Sequence, residues 1–345
     1  MDRDLLVDIR DLRLDFRTFD GISKVLNGVN LKMYRGDVLG LVGETGCGKT
    51  MTALSIPRLI PCPPGEITGG QVFFEGEDVL HKSDEEMRLL RAQKLAMIFQ
   101  DPTTSLNPVF SVGDQMIDII GSRQDTSKAS RLSMLGGLGN LLPTVRGLRR
   151  GARARALQML RRVGIGDAPE RIDDYPHQFS GGMRQRVLIA TALSGTPSLL
   201  IADEPTTALD VSIQAQILRL IDELVQELDL SVLLITHNLG VVAKMCQKVA
   251  VMYAGVVVEH GSALDIFKAP KHPYTVGLMK AIPTYGTKKG EIKGIPGTVP
   301  NFLHPPLGCR FHPRCEHANA RCAEEPPPQP VEIAPGHEVS CFLYA

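Results

Sequence analysis

Short, almost wholly apolar runs alternate along the chain with stretches in which apolar positions recur at helical spacing. Residues 38–42 (VLGLV), 198–202 (SLLIA) and 231–236 (SVLLIT) are runs of this kind, and they suit strands covered on both faces, as in a parallel sheet. Residues 213–228 carry apolar side chains at helical spacing. Strands and helices in alternation predict an α/β fold.

The chain differs from this pattern at its start and in its middle. Residues 5–16, 24–34 and 70–76 alternate apolar and polar positions, which is typical of antiparallel strands. Residues 113–195 are predicted to be mostly helical. The sequence therefore predicts a sheet core with an antiparallel amino-terminal part and a helical insert, followed by a tail rich in proline and cysteine.

The composition is that of a folded protein, and it excludes several classes of protein. The 345 residues allow two domains, or one large domain with additions. Lys plus Arg and Asp plus Glu number 38 each, so no charge bias points to nucleic acid as a partner. No apolar run reaches the roughly 18 residues of a transmembrane helix. The opening MDRDLLVDIRD does not resemble an export signal, so the seven cysteines are expected in a reducing compartment, where disulfides are rare.

Positive charge is concentrated between residues 121 and 162, which hold ten basic residues and one acid, Asp125. The stretch includes a glycine-rich patch at residues 135–140. A solvated basic surface is the favoured interpretation, and contact with anionic lipid headgroups is the alternative.

Residues 43–50 (GETGCGKT) fit the phosphate-loop pattern, and they lie between a predicted strand and a plausible helix, as the pattern requires. Gly46 and Gly48 let backbone N–H groups approach an anion. Lys49 would reach the β- and γ-phosphates, and the Thr50 hydroxyl would ligate Mg²⁺. The candidate nucleotide-binding residues are Gly43, Glu44, Thr45, Gly46, Cys47, Gly48, Lys49 and Thr50.

Residues 199–204 (LLIADE) form a buried strand that ends in two acids. Asp203 suits Mg²⁺ bound through water, and Glu204 suits a general base for an attacking water. Taken alone, such a pair is more often a capping or solvated site.

Further motifs complete a recognisable series. Residues 179–186 are FSGGMRQR, Gln100 ends the run AMIFQ, residues 207–210 are TALD, and His237 ends SVLLITH. The order and spacing of these motifs resemble the ATP-binding subunits of ABC transporters, over about residues 5–265. The resemblance implies a P-loop ATPase with an antiparallel β subdomain and a helical subdomain.

That resemblance also implies an active site shared between two ATPase subunits that face each other head to tail. Ser180, Gly181 and Gly182 would contact the γ-phosphate of the ATP held by the partner subunit, at a helix amino end that favours anions.

Other roles are carried over in the same way. Gln100 would sense Mg²⁺ and the attacking water, His237 would hold the γ-phosphate and the water, and Asp210 would bridge the two sites. An aromatic ring would stack on adenine. Phe19 is the candidate, with Phe16 as the alternative.

The tail resembles the carboxy-terminal extension of ATPases from dipeptide, oligopeptide and nickel importers. The resemblance is carried by PKHPYT (270–275), GIPGTVPNF (294–302) and GCRFHPRC (308–315). The expected organisation is a nucleotide-binding domain over residues 1–265, with the helical subdomain inserted at about 101–195, and an extension over residues 266–345.

Four cysteines of the tail, Cys309, Cys315, Cys322 and Cys341, offer four thiolates. Such a set suits an iron–sulfur cluster or Zn²⁺, although no C-x-x-C pair occurs among them, and four unligated cysteines are the other possibility. The resemblance implies a 4Fe–4S cluster at these positions, with Zn²⁺ as the alternative.

Together these features predict the ATP-hydrolysing motor of a membrane importer, most naturally one for di- and oligopeptides. The implied partners are a second, homologous but different ATPase subunit, two transmembrane permease subunits and an extracytoplasmic solute-binding protein. The chain would lie at the cytoplasmic face of the inner membrane, with only indirect membrane contact. The alternatives are a nickel chelate, glutathione or another small solute as cargo, and a soluble ABC ATPase whose metal-bearing tail senses redox state.

Overall fold

The structure is a computed structural model. It describes residues 4–100, 105–124, 143–207, 209–282 and 294–345.

The fold divides into two compact units. Unit one comprises Met1–Lys82 and Leu233–Ala345, and unit two comprises Ser83–Val232. The tail thus belongs to the same compact unit as the phosphate loop. The predicted boundary near residue 265 stays a prediction.

The first sheet of unit one is antiparallel, as the alternating pattern predicts. Its strands, in the order β2-β1-β4-β5, are β1 (Leu5–Thr18), β2 (Gly21–Tyr34), β4 (Gly65–Phe74) and β5 (Glu77–Asp78). Leu14 of β1 lies opposite Leu26 of β2 and Ile67 of β4. Leu14 and Leu26 are buried, so this alternation supplies one apolar face of the sheet.

The second sheet of unit one contains the strand before the phosphate loop. That strand, β3 (Val38–Val42), is buried at every residue and pairs in parallel with β9 (Lys248–Tyr253). The sheet continues through antiparallel pairings to β10 (Val256–Ser262), β12 (His337–Val339) and β11 (Val331–Ala334). The carboxy-terminal tail therefore extends the sheet that carries the phosphate loop.

Four α-helices belong to unit one among the described residues. They are α1 (Lys49–Ser55), α8 (Leu239–Met245), α9 (Ala263–Lys268) and α10 (Pro273–Lys280). β8 (Ser231–Ile235) lies where the chain passes from unit two to unit one.

Unit two is mainly helical, as predicted. Its helices are α2 (Asp84–Gln93), α3 (Val112–Gln124), α4 (Pro143–Arg162), α5 (Ala168–Arg171), α6 (Gly181–Leu193) and α7 (Val211–Leu228). Two parallel strands, β6 (Leu95–Ile98) and β7 (Leu199–Asp203), pair in the same unit. Every residue of β7 is buried.

Basic side chains of α4 are paired with acids inside unit two. Arg153 donates two hydrogen bonds to Asp173, at 2.8 and 2.7 Å, and this contact holds the pKa of Asp173 below its ordinary value. Arg162 pairs with Glu227. These pairs support the interpretation of a solvated surface. Residues 125–142, including the glycine-rich patch, lie outside the described residues.

Throughout the described segments, no helix is both long enough and apolar enough to span a membrane.

Candidate nucleotide site and cysteine cavity

The phosphate loop joins β3 to α1 in a conformation that only glycine accommodates at two positions. Gly43 has a φ of 151°, and a Cβ there would lie 2.1 Å from the carbonyl oxygen of Met252. Gly48 has a φ of 104°, and its Cβ would lie 2.8 Å from Leu26. The backbone of β9 and the side chains of β2 thus close around the loop.

Lys49 folds back over this loop. Its side chain is buried, and Nζ donates to the carbonyl oxygens of Gly43 and Glu44, both at 2.9 Å. Thr50, the next residue, lies in the first turn of α1. The loop therefore presents a cation and a hydroxyl where the pattern predicts contact with phosphates and Mg²⁺.

Glu44 has partners that the sequence did not reveal. Its backbone N–H donates to Tyr274 Oη at 3.0 Å, and its carboxylate accepts from Arg314 Nη1 at 3.1 and 3.2 Å. Tyr274 and Arg314 lie in the PKHPYT and GCRFHPRC motifs of the tail, so the motifs were visible but their contacts were not.

The two adenine candidates differ in their surroundings. Phe19 occupies the turn between β1 and β2 and is fully exposed. The Phe16 ring lies 3.3 Å from the position that a Cβ of Gly65 would take, so it is packed against β4. Phe19 is thus the more accessible of the two rings, and its stacking on adenine stays a prediction.

In unit two, the acidic end of β7 is organised around Glu204. One carboxylate oxygen, Oε2, accepts from Gln100 Nε2 at 3.1 Å and from Thr207 Oγ1 at 2.8 Å. Glu204 has a φ of 46°, a left-handed conformation that is rare for this residue type and that clusters at functional sites. Asp203, the last residue of β7, is buried. The structure thus brings Gln100 and Glu204 into direct contact.

The SGG segment forms the start of α6 in the same unit. The Ser180 side chain caps the helix by accepting a backbone N–H at 3.4 Å. A Cβ on Gly182 would lie 2.7 Å from Ile213 of α7, so glycine permits the close packing of the two helices. Ser180, Gly181 and Asp210 are exposed and are therefore open to another molecule.

His237 lies in unit one, two residues after the end of β8, and is exposed. The following residue, Asn238, caps α8 by accepting from the N–H groups of Gly240 and Val241, at 3.1 and 3.3 Å. This cap fixes the backbone next to His237.

The four tail cysteines line one small cavity, together with His272. Burial raises the pKa of the Cys309 thiol to about 11. Among the described residues, no three His, Cys, Asp or Glu side chains are close enough together to hold a single metal ion. The cavity thus gathers four thiols without forming a compact one-ion site.

His272 contributes an unpaired polar atom near this cavity. Its Nδ1 accepts the Tyr274 N–H at 3.0 Å, and its Nε2 is buried without a hydrogen-bond partner in the described part of the chain. Burial lowers the pKa of this imidazole to about 3. The ring is therefore neutral near pH 7 and carries its proton on Nε2, since Nδ1 accepts.

Two family models match the chain. The model described as ABC transporter matches residues 26–207, and the one described as oligopeptide/dipeptide transporter, C-terminal region, matches residues 258–322.

Curated relatives match almost the whole chain. The probable peptide ABC transporter ATP-binding protein y4tR of Sinorhizobium fredii is 46% identical over 98% of this chain and 95% of its own. The oligopeptide transport ATP-binding protein OppD of Escherichia coli is 43% identical, over 98% and 93%. The dipeptide transport ATP-binding protein DppD of Bacillus subtilis is 43% identical, over 98% and 94%.

Solved structures share the fold. A dimeric post-hydrolysis state of the ATP-binding cassette MJ0796 bound to ADP and Pi aligns with a TM-score of 0.61 at 23% identity, over 75% of this chain and 99% of its own. CbiO1 of Clostridium perfringens, part of the ABC transporter complex cbiONQ, aligns with a TM-score of 0.58 at 26% identity, over 80% and 95%. The predicted fold class is confirmed, and the chain belongs to the ABC transporter family, as an ATP-hydrolysing subunit with the C-terminal region of the oligopeptide/dipeptide branch.

Proposed function

We propose that this chain is the ATP-hydrolysing motor of a di- or oligopeptide importer, acting as one half of an ATPase pair. The observation that carries the proposal is the Glu204 carboxylate held by Gln100 and Thr207, in a chain that also carries a complete phosphate loop. A fixed carboxylate of this kind suits a general base, which must be aimed at the proton it accepts.

In the proposed reaction, the oxygen of a water attacks the γ-phosphorus and ADP leaves as the bond to its β-phosphate oxygen breaks. Glu204 accepts the proton of the attacking water, Gln100 orients the carboxylate and the water, and Lys49 balances phosphate charge. His237 would hold the γ-phosphate. Bound Mg²⁺, held by Thr50, by Gln100 and through water by Asp203, would supply further charge neutralisation.

The second half of the pair would complete the site. Exposure of Ser180 and Gly181 at the start of α6 supports contact with an ATP molecule held by a partner subunit, and Asp210 lies exposed at the start of α7 to bridge the two sites. The proposed partner is a homologous but different ATPase subunit.

Membrane partners are proposed because alternating access needs a transmembrane pathway and because the relatives are named as ATP-binding proteins of peptide transport. Apolar side chains of unit two, Phe99, Val109 and Phe110, are exposed and are candidate contacts for a permease. Two permease subunits and an extracytoplasmic binding protein complete the proposed importer, in which this chain would lie at the cytoplasmic face of the inner membrane.

Peptide cargo is proposed because the relatives are named as peptide transport proteins. The rate of ATP hydrolysis by the assembled importer tests this proposal. The complex, purified with its native membrane partners and binding protein, is expected to hydrolyse ATP faster when dipeptides or longer peptides are added, and to stay unchanged with a nickel chelate. Stimulation by the nickel chelate alone would contradict peptide cargo. A chain that purifies without membrane partners would contradict the importer.

We also propose that the cysteine cavity holds a 4Fe–4S cluster, with Zn²⁺ as the alternative. The residues fit such a group, because all four cysteines line one cavity and His272 carries a buried, unpaired N–H that could donate to a sulfur. A cubane is larger than one ion, so its thiolates lie farther apart than those of a zinc site. When bound, the cluster would cross-link the tail and supply a redox-active centre.

The Cys315→Ser variant tests the cluster. We expect anaerobically purified wild-type protein to contain iron and acid-labile sulfide with the visible absorption of an iron–sulfur cluster, and the variant to lose most of both, because one of four ligands is gone. Cys62→Ser is the matched control, since Cys62 is exposed and does not line the cavity. Zinc in place of iron would select the alternative, and wild-type protein with neither metal would contradict both.

A further inference from the structure

Three side chains of the carboxy-terminal segment, Tyr274, Arg310 and Arg314, reach the phosphate loop or the turn beside it. We call these three residues the brace. All of its contacts lie within unit one.

Tyr274 contacts the backbone of the phosphate loop. Its hydroxyl accepts the N–H of Glu44 at 3.0 Å. The tyrosine is fully buried, and its ring packs on Tyr253 and Phe311, with centroid distances of 4.7 and 5.4 Å. Because the ring is fixed on two sides, the hydroxyl holds the first part of the loop in one position.

Arg314 holds the same loop residue by its side chain. Nη1 lies 3.1 and 3.2 Å from the two carboxylate oxygens of Glu44. The other guanidinium nitrogens donate to backbone, Nη2 to Ile295 at 3.1 Å and Nε to Pro296 at 2.8 Å. The Arg314 side chain is only 7% exposed, against 29% for Glu44. The two backbone carbonyls therefore hold the guanidinium in position independently of Glu44. This preorganisation strengthens the ion pair between Arg314 and Glu44.

Arg310 acts on the loop through an intermediate turn. Its Nη1 donates to the carbonyl oxygens of Ala254 and Lys24. Ala254 and Gly255 form the turn between β9 and β10. Gly255 donates its N–H to the carbonyl oxygen of Cys47, inside the phosphate loop, at 2.8 Å. Arg310 thus fixes a turn that itself hydrogen-bonds to the loop.

Charge gives the Arg314 contact a specific consequence. The loop accepts the polyphosphate of ATP, and the Glu44 carboxylate lies within the same loop. Left unpaired, this carboxylate would repel the nucleotide and would be free to change position. With Arg314 beside it, its charge is balanced and its direction is fixed.

We propose that Tyr274, Arg310 and Arg314 are positioning residues of the ATP site, which makes the carboxy-terminal segment part of the nucleotide-binding machinery. The proposal rests on the ATP hydrolysis of the family and not on peptide cargo. The brace touches the loop and not the reacting atoms, so its loss weakens nucleotide binding and leaves the chemical step at saturating ATP nearly intact.

The test is the ATP kinetics of the Arg314→Met variant in the full-length protein, assembled in its complex. Methionine keeps much of the apolar stem and removes the charge. We expect KM and the Kd for ATP to rise about tenfold, the effect of losing a charged hydrogen-bond partner, while kcat stays within about twofold of wild type.

A double variant separates this role from general destabilisation. Adding Glu44→Gln to Arg314→Met removes the unpaired carboxylate, so KM is expected to return to within about threefold of wild type. Arg321→Met is the matched control: Arg321 lies in the same segment, is exposed, and lies over the Phe342 ring. Its KM is expected to be unchanged.

Several results would overturn the proposal. One is an Arg314→Met variant with a lower melting temperature but a normal KM for ATP. A second is a variant in which only kcat falls. A third is a double variant whose KM is as high as that of the single variant. If Arg314→Met does not fold, Tyr274→Phe replaces it. That variant removes only the hydroxyl that accepts the Glu44 N–H, and a normal KM there would equally reject the brace. Basal turnover is measured without peptide, so an incorrect cargo assignment leaves the test intact.

Discussion

The Glu204→Gln variant is expected to bind ATP normally and to hydrolyse it roughly 10²- to 10⁴-fold more slowly, the range attributed to a general base. Glutamine has nearly the shape of glutamate, and its amide oxygen can still accept from Gln100 and Thr207, which both donate to Glu204 in the structure. What the amide cannot do is accept the proton of the attacking water. Nucleotide binding and multiple-turnover hydrolysis, measured on the same preparation, separate the two effects.

The Glu223→Gln variant is the control for this change, because Glu223 is an exposed acid on α7 in the same unit. It should hydrolyse ATP at the wild-type rate. If Glu204→Gln kept more than about a tenth of wild-type turnover, well above the range for a lost base, the proton acceptor would have to be another group.

The Lys49→Met variant is expected to lose ATP affinity by about 2–4 kcal/mol, roughly 30- to 900-fold, as buried charged partners do when truncated. The Lys49 side chain is buried, and its Nζ already lies at hydrogen-bonding distance from the carbonyl oxygens of Gly43 and Glu44. Methionine fills the space of the stem but offers no cation to the phosphates. Equilibrium titration with a fluorescent ATP analogue measures the loss.

Lys244→Met provides the matched control, since Lys244 is an exposed lysine of unit one on α8. Its affinity should equal that of the wild type. A Lys49→Met variant that bound ATP within about threefold of wild type would contradict the placement of the phosphates over this loop.

Local patterns were enough to predict most of the secondary structure. The apolar runs at 38–42 and 231–236 became strands whose residues are all buried, because a strand covered on both faces has no polar side to reveal. The phosphate loop could also be predicted, because its glycines, lysine and threonine all lie within eight consecutive residues.

The brace could not be predicted, because its contacts join residues far apart in the chain. Tyr274 and Arg314 meet Glu44 across 230 and 270 positions, and nothing in the composition of PKHPYT or GCRFHPRC names the phosphate loop as their target. The contact of Gln100 with Glu204 spans 104 positions. The sequence predicts a role in the site for each residue, but it does not predict this contact. Tertiary packing decides such pairs, and a local pattern does not encode it.

The order of residues in the tail gives the brace a thermodynamic meaning. Arg310 directly follows Cys309, and Arg314 directly precedes Cys315, so the side chains that fix the loop share backbone with two walls of the cysteine cavity. Coupling between two such sites is reciprocal. If an ordered cavity raises the affinity for nucleotide, bound nucleotide stabilises the ordered cavity by the same free energy. A change that disorders the cavity would then lower nucleotide affinity as well.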